Sequence, residues 1–303
     1  MQRSAALRRV IAASLAFVVG AGGTAAAAPP TSNCPLFPST NVWNKRVDSL
    51  PVHPNSRTLI RSIGLDRPLH PDFGEYLGYG IPYNVVDGST PRRTVEFLYD
   101  DESDHVSYPI PADPQIEAGS DHHLLMWDTE DCMLYELFDA RKRWDGWHAG
   151  SGAVWDLSSN ALRPNGWTSA DAAGLPILPG LVRYDEVAAG AIMHAIRFTA
   201  PRTRDRHIYP ARHHAGVGTS RSLPPMGLRV RLKRWIDVSE FSPRVRVILR
   251  AMKRYGMILA DNGSPWYFTG TSDVRWSDEE LNELKSLRGR HFEVVDTSDL
   301  RNG

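Results

Sequence analysis

The sequence predicts a mostly β fold: a β-sandwich or jelly-roll-like single domain with two or more short peripheral helices. Short apolar runs broken by Gly, Pro and Asx residues recur from about residue 64 onward. Stripes of helical period are confined to two short stretches near the C-terminus. No repeat, heptad or low-complexity run follows residue 30. Strand-like runs fall at 79–83, 94–99, 123–127, 133–138, 153–157, 191–199, 227–233, 257–261 and 266–269. In the run 133–138, alternation puts Leu134, Glu136 and Phe138 on one face and Tyr135 and Leu137 on the other.

Two helices have defined ends. Ser242 is a natural N-cap, Pro243 suits the first helical position and Gly256 a C-terminal stop. Between them Val245, Ile248, Leu249 and Met252 make one apolar stripe, and Arg244, Arg246, Arg250, Lys253 and Arg254 a solvated face. The second helix opens on Ser277, with Glu280 three residues on as a capping box, and runs to about 287. Short helical turns are expected at 169–173 and 184–189.

The first 28 residues read as a secretory signal, with Arg3, Arg8 and Arg9 ahead of an apolar core and small residues before Pro29. Arg8-Arg9 leaves twin-arginine export open beside the general route. After cleavage no stable membrane span is expected, because the second half of the apolar run is Gly, Thr and Ala. Cleavage removes three arginines and no acid, taking 35 cations to 32 against 35 acids, a net of −3. That balance argues against a nucleic-acid partner. Residues 29–60, rich in Pro, Ser and Asn, suggest an extended segment ahead of a β-rich domain at 61–303. In an exported chain the two cysteines, Cys34 and Cys132, are expected to pair. Closing so long a loop stabilises by about 4–5 kcal/mol in the chain-entropy model.

The chemistry-bearing residues crowd into 144–214. Carboxylates with aromatic side chains are the ingredients of a sugar site, where one acid is held protonated and a second works ionised. The candidate catalytic residues are Glu186, Glu136, Asp261 and His194, and the candidate substrate-binding residues are Trp155, Trp167, Trp266 and Arg197. Each has a structural alternative. Glu186 sits where the helix dipole favours an acid, Glu136 can be a paired structural acid, and Asp261 opens a turn-like Asp-Asn-Gly. His194 shares the apolar face of its run with Ile192, Ile196 and Phe198, as a core histidine would. No cofactor is implied. A metal is an option if His123, His194 and His213 converge, although no H-E-x-x-H spacing appears. Ser151 lacks the G-x-S-x-G elbow, and no P-loop, Rossmann or kinase signature is present.

The stretches 149–204 and 223–264, with the pattern Glu186-x3-Gly190-x-Ile192-x-His194-Ala195, are similar to a group of secreted, mainly actinobacterial proteins over roughly residues 34–298. That resemblance implies export and a globular domain but no reaction; it draws attention to Glu186, His194 and Asp261. The expectation is therefore a secreted, glycosidase-like hydrolase of a polysaccharide or cell-envelope polymer using carboxylates as acid and base. The alternatives are a non-catalytic carbohydrate- or cell-wall-binding protein and a His-ligated metal enzyme.

Overall fold

The computed structural model describes residues 34–301, so the leader expected at 1–28 lies outside the described residues. Strand outweighs helix, 26% against 19%, and the mostly β, sandwich-like class is as expected.

Two sheets position everything that follows. A six-stranded mixed sheet runs in the order His70–Asp72, Tyr267–Thr269, Ile196–Ala200, Met257–Asn262, Arg229–Leu232, Phe292–Val294. Its first pair and its central pair, Ile196–Ala200 with Met257–Asn262, are parallel. A four-stranded sheet runs Ser151–Asp156, Met133–Phe138, Leu124–Asp128, Tyr83–Val86. One apolar core joins the two, with Leu125, Trp127, Leu134 and Trp155 from the smaller sheet and Phe198, Ile258 and Phe268 from the larger. The opposite face of the smaller sheet holds a second core, where Leu124, Met126, Tyr135 and Leu137 meet Val95, Trp147 and Ala149 of a three-stranded sheet. The strand Leu124–Asp128 lies between two cores, so both of its faces are buried. That is why the run reads as continuously apolar.

Four α-helices pack around the sheets: α1 (Ser56–Gly64), α2 (Tyr184–Ala188), α3 (Pro243–Arg254) and α4 (Asp278–Glu283). α3 forms as expected, with Val245, Ile248, Leu249 and Met252 buried and Pro243 at its start. Gly256 follows at φ +69, where an added Cβ would lie 2.2 Å from the Val230 carbonyl oxygen. Ser277 caps α4 by accepting from the Glu280 N–H, but the α-helix ends at Glu283 and continues as a 3-10 turn, Leu284–Ser286. α2 fits the turn expected at 184–189, whereas 169–173 is irregular chain. α1 corrects the reading of 29–60 as extended: Leu59, Ile60 and Ile63 are buried, and its first residues fall inside that segment. The run 191–199 is strand only from Ile196, so His194 stands on the irregular chain before it. Cys34 and Cys132 are bonded, with Cα atoms 5.3 Å apart. The bond ties the start of the described chain to the turn preceding Met133–Phe138. Among the described residues no helix is long and apolar enough to cross a membrane.

Candidate functional site

Between the two sheets lies a layer of charge. It begins on Met133–Phe138, where Leu134 and Glu136 face the joint core while Tyr135 and Leu137 face the other. Glu136 is fully buried; its carboxylate accepts hydrogen bonds from Ile177 N–H (2.9 Å) and Leu178 N–H (2.9 Å). Burial pushes its carboxyl up to about 7, with Asp171 adding to the rise and the two backbone donors opposing it.

From the larger sheet comes Arg197. Its guanidinium forms a two-pronged pair with Asp171, Nε to Oδ2 at 3.0 Å and Nη2 to Oδ1 at 2.9 Å. Its Nη1 donates to Thr269 Oγ1 at 2.7 Å. Asp261 Oδ2 stands 3.9 Å from Arg197 Nη2. A bulge makes that approach possible. Arg197 pairs in register with Ile258 and Phe198 with Leu259, but Thr199 pairs with Asp261, leaving Ala260 as the extra residue. Strict alternation would turn Asp261 to the face of Leu259; the inserted residue returns it to the face of Arg197. Burial, then the Asp171 carboxylate, push the Asp261 carboxyl up to about 7, while Arg197 opposes the rise. The side chain still keeps 25% of its surface exposed.

The chain carrying Asp171 is held by its own polar groups. Ser169 Oγ donates within the loop to the Leu175 carbonyl (2.6 Å), and Ser151 Oγ donates to the Ser169 carbonyl (2.7 Å). Two histidines flank Asp171. His123 meets Glu117 Oε2 with Nδ1 (2.6 Å) and the Ala170 carbonyl with Nε2 (3.1 Å). Burial works against its charged form, but Glu117 prevails and raises it. His213 Nδ1 donates to the Ala172 carbonyl at 2.8 Å. Asp171, Asp261 and His213 open on a cavity of about 440 Å³ lined also by Tyr99, Phe138, Ser151 and Asn262.

The other candidates fall elsewhere. Glu186 and His194 do meet, Oε2 to Nε2 at 3.1 Å, but Arg183 takes the second carboxylate oxygen and the Ala195 carbonyl faces His194 Nδ1. Burial raises the Glu186 carboxyl, yet Arg183 and His194 pull it below the usual range. This is a closed ion pair that joins α2 to the chain before Ile196–Ala200. Trp266 and Trp155 are core residues, correcting the expectation that they stack on substrate. Trp266 lies between Phe198 and Phe292 and donates its indole N–H to the Gly64 carbonyl at 2.7 Å. Trp167 is half-buried with the Arg163 guanidinium over its ring; its neighbour Thr168 lines the cavity, but Trp167 does not, correcting the expectation that it stacks on substrate there. Arg197 is likewise internal, holding acids rather than facing the cavity. Among the described residues no three His, Cys, Asp or Glu side chains are grouped to hold a metal, so His123, His194 and His213 do not form the set considered above. Each presents a ring nitrogen to a carbonyl, and His123 and His194 give the other to a glutamate.

Of the four catalytic candidates, the structure brings Glu136 and Asp261 to one cluster and sets Glu186 and His194 apart from it. Sequence reasoning did not single out Asp171, which arrives from irregular chain with no period to mark it, or the His123–Glu117 pair.

No family model, no curated protein and no solved structure matches the chain.

Proposed function

We propose that the chain is a secreted hydrolase of a polysaccharide or cell-envelope polymer in which Asp261 is the general acid. The observation that carries this reading is an unequal carboxyl pair at the cavity: Asp171 locked to Arg197, Asp261 pushed up to about 7 and partly exposed. Burial raises both carboxyls, but only Asp171 has both oxygens held by the Arg197 guanidinium, so Asp261 is the one left to carry the proton. One protonated and one ionised acid is what glycoside cleavage requires. Asp261 would protonate the leaving oxygen. The Asp171 carboxylate would supply negative charge beside an oxocarbenium-like transition state. His213, its Nδ1 donating to the Ala172 carbonyl, has Nε2 as its basic nitrogen for a water. Tyr99 and Phe138 provide ring surface at the wall. The Cys34–Cys132 bond supports an oxidising, extracellular setting.

A binding protein without catalysis is the second reading. It is favoured by the engagement of both Asp171 oxygens with Arg197, which leaves Asp261 without a second free carboxylate. Purified protein assayed on a panel of extracellular polysaccharides separates the two. Hydrolysis gives product release that Asp261→Asn reduces by about 10²-fold or more. Polymer binding with no product from wild type would establish the binding module instead.

A further inference from the structure

A second cavity of about 440 Å³ is lined by Arg204, Arg221, His207 and His53. Among the described residues neither arginine makes an ion pair or a side-chain hydrogen bond, and the Arg204 Nε is buried without a partner. Asp296 also lines the cavity, but its carboxylate accepts from the Ser298 N–H at 3.0 Å, closing a local turn. Asp205, next in sequence, acts on Arg204 against the like charges of Arg206 and Arg221. Arg221 is exposed and Arg204 half-buried, so the telling group is the Arg204 Nε: a buried donor without a partner is rare in folded proteins and marks a place where an acceptor is missing.

The two cavities are linked through neighbouring side chains. Asn262 lines the first and exchanges hydrogen bonds with Thr203, the residue before Arg204 (Nδ2 to Oγ1, 3.0 Å). Three imidazoles connect them: His213, in the first cavity, stacks on His214 with centroids 5.8 Å apart, and His214 on His207, in the second, at 6.1 Å. The His207 Nδ1 is likewise buried and unpartnered among the described residues.

We infer that the Arg204–Arg221 cavity is a subsite for an anionic group, a carboxylate or a phosphate, carried by a unit of the polymer next to the bond at Asp261. The anion site stands on its own residues, whereas its place along a cleaved polymer rests on the function proposed above. A guanidinium reads both oxyanions through paired N–H donors, so the shared chemistry is an oxyanion on a polymer, and its source is left to the probe.

Calorimetric titration of the protein with an oligogalacturonate, a glycerol-phosphate oligomer and a neutral xylo-oligosaccharide tests this. Binding of at least one anionic probe is expected, about tenfold or more tighter than the neutral one. Whichever anionic probe binds identifies the source of the oxyanion. Arg204→Met should weaken that binding by about tenfold or more, and Arg141→Met, an exposed arginine of the three-stranded sheet, by less than about twofold. Should Arg204→Met fail to fold, Arg221→Met takes its place. Equal binding of neutral and anionic probes, or anionic binding that both cavity variants retain, would overturn the subsite. Anionic binding through Arg204 without cleavage would support the subsite and count against the hydrolase. Cleavage of neutral polymer independent of Arg204 would do the reverse.

Discussion

Two ion clusters in this molecule each join an arginine to carboxylates and behave in opposite ways. In Arg183–Glu186–His194, one acid faces two basic groups, both carboxylate oxygens are taken and the carboxyl lies below its usual range. In Asp171–Arg197–Asp261, two acids share one arginine; the first takes the fork and the second is left at 3.9 Å with a carboxyl pushed up to about 7. The clusters differ in the ratio of acid to base rather than in the presence of charge. A surplus of base makes a structural staple; a surplus of acid beside a cavity makes a proton donor near neutral pH.

The largest expected contrast is in activity. Where Asp261→Asn removes most of the hydrolysis, Glu186→Gln should leave kcat within about threefold of wild type, because a staple away from the cavity gives the reaction no proton. A kcat that falls equally in both variants would erase the functional distinction.

Stability gives the next. Arg197→Met strands Asp171 in the interior without its partner, and urea unfolding should show a loss of about 3–5 kcal/mol. Arg183→Met removes a partner from a carboxylate that is still hydrogen-bonded by His194 and partly solvated, so a loss of about 1–2 kcal/mol is expected.

The smallest effect is in the pH dependence of stability. Glu136 and Asp261 keep protons in the folded state up to about 7 that the unfolded chain releases near 4. The folded state therefore binds more protons between those values, and stability falls as pH rises through that window. His123, raised by Glu117, adds a loss in the same direction as pH passes above its unfolded value near 6.5. Glu186 and Glu117, both lowered, contribute stability that is lost as pH falls below about 4.5. Melting temperature should peak near pH 5. Glu136→Gln should flatten the decline toward pH 8 by on the order of 1–3 kcal/mol, and an unchanged slope would show that Glu136 does not titrate there.

How much of this was legible in the sequence depends on how local each feature is. The shared face of Leu134 and Glu136 follows from alternation, and α3 from its Pro start, Gly stop and apolar stripe. The disulfide follows from there being two cysteines in a chain with a leader-like start. α1 was hidden because Leu59, Ile60 and Ile63 occupy one short helix beside a Pro- and Asn-rich stretch. The bulge at Ala260 leaves no mark in the sequence, yet it decides which face Asp261 takes. The pairing of Asp171 with Arg197 spans 26 residues and depends on an irregular loop. Trp266 looked like a sugar platform by residue type alone; its position between two aromatic rings is a tertiary fact. Glu186 and His194, close in sequence, were the pair sequence could find, and they form the staple.

Asp261 is set apart from the other acids at the cavity by a carboxyl that is partly exposed and pushed up to about 7. Carbon-13 NMR of side-chain carboxyls, followed from pH 3 to 9 in wild type and Asp261→Asn, isolates that group as the resonance lost in the variant. A midpoint near 7 for that resonance is expected. A midpoint near the ordinary aspartate value of about 4 would contradict the assignment of Asp261 as the acid.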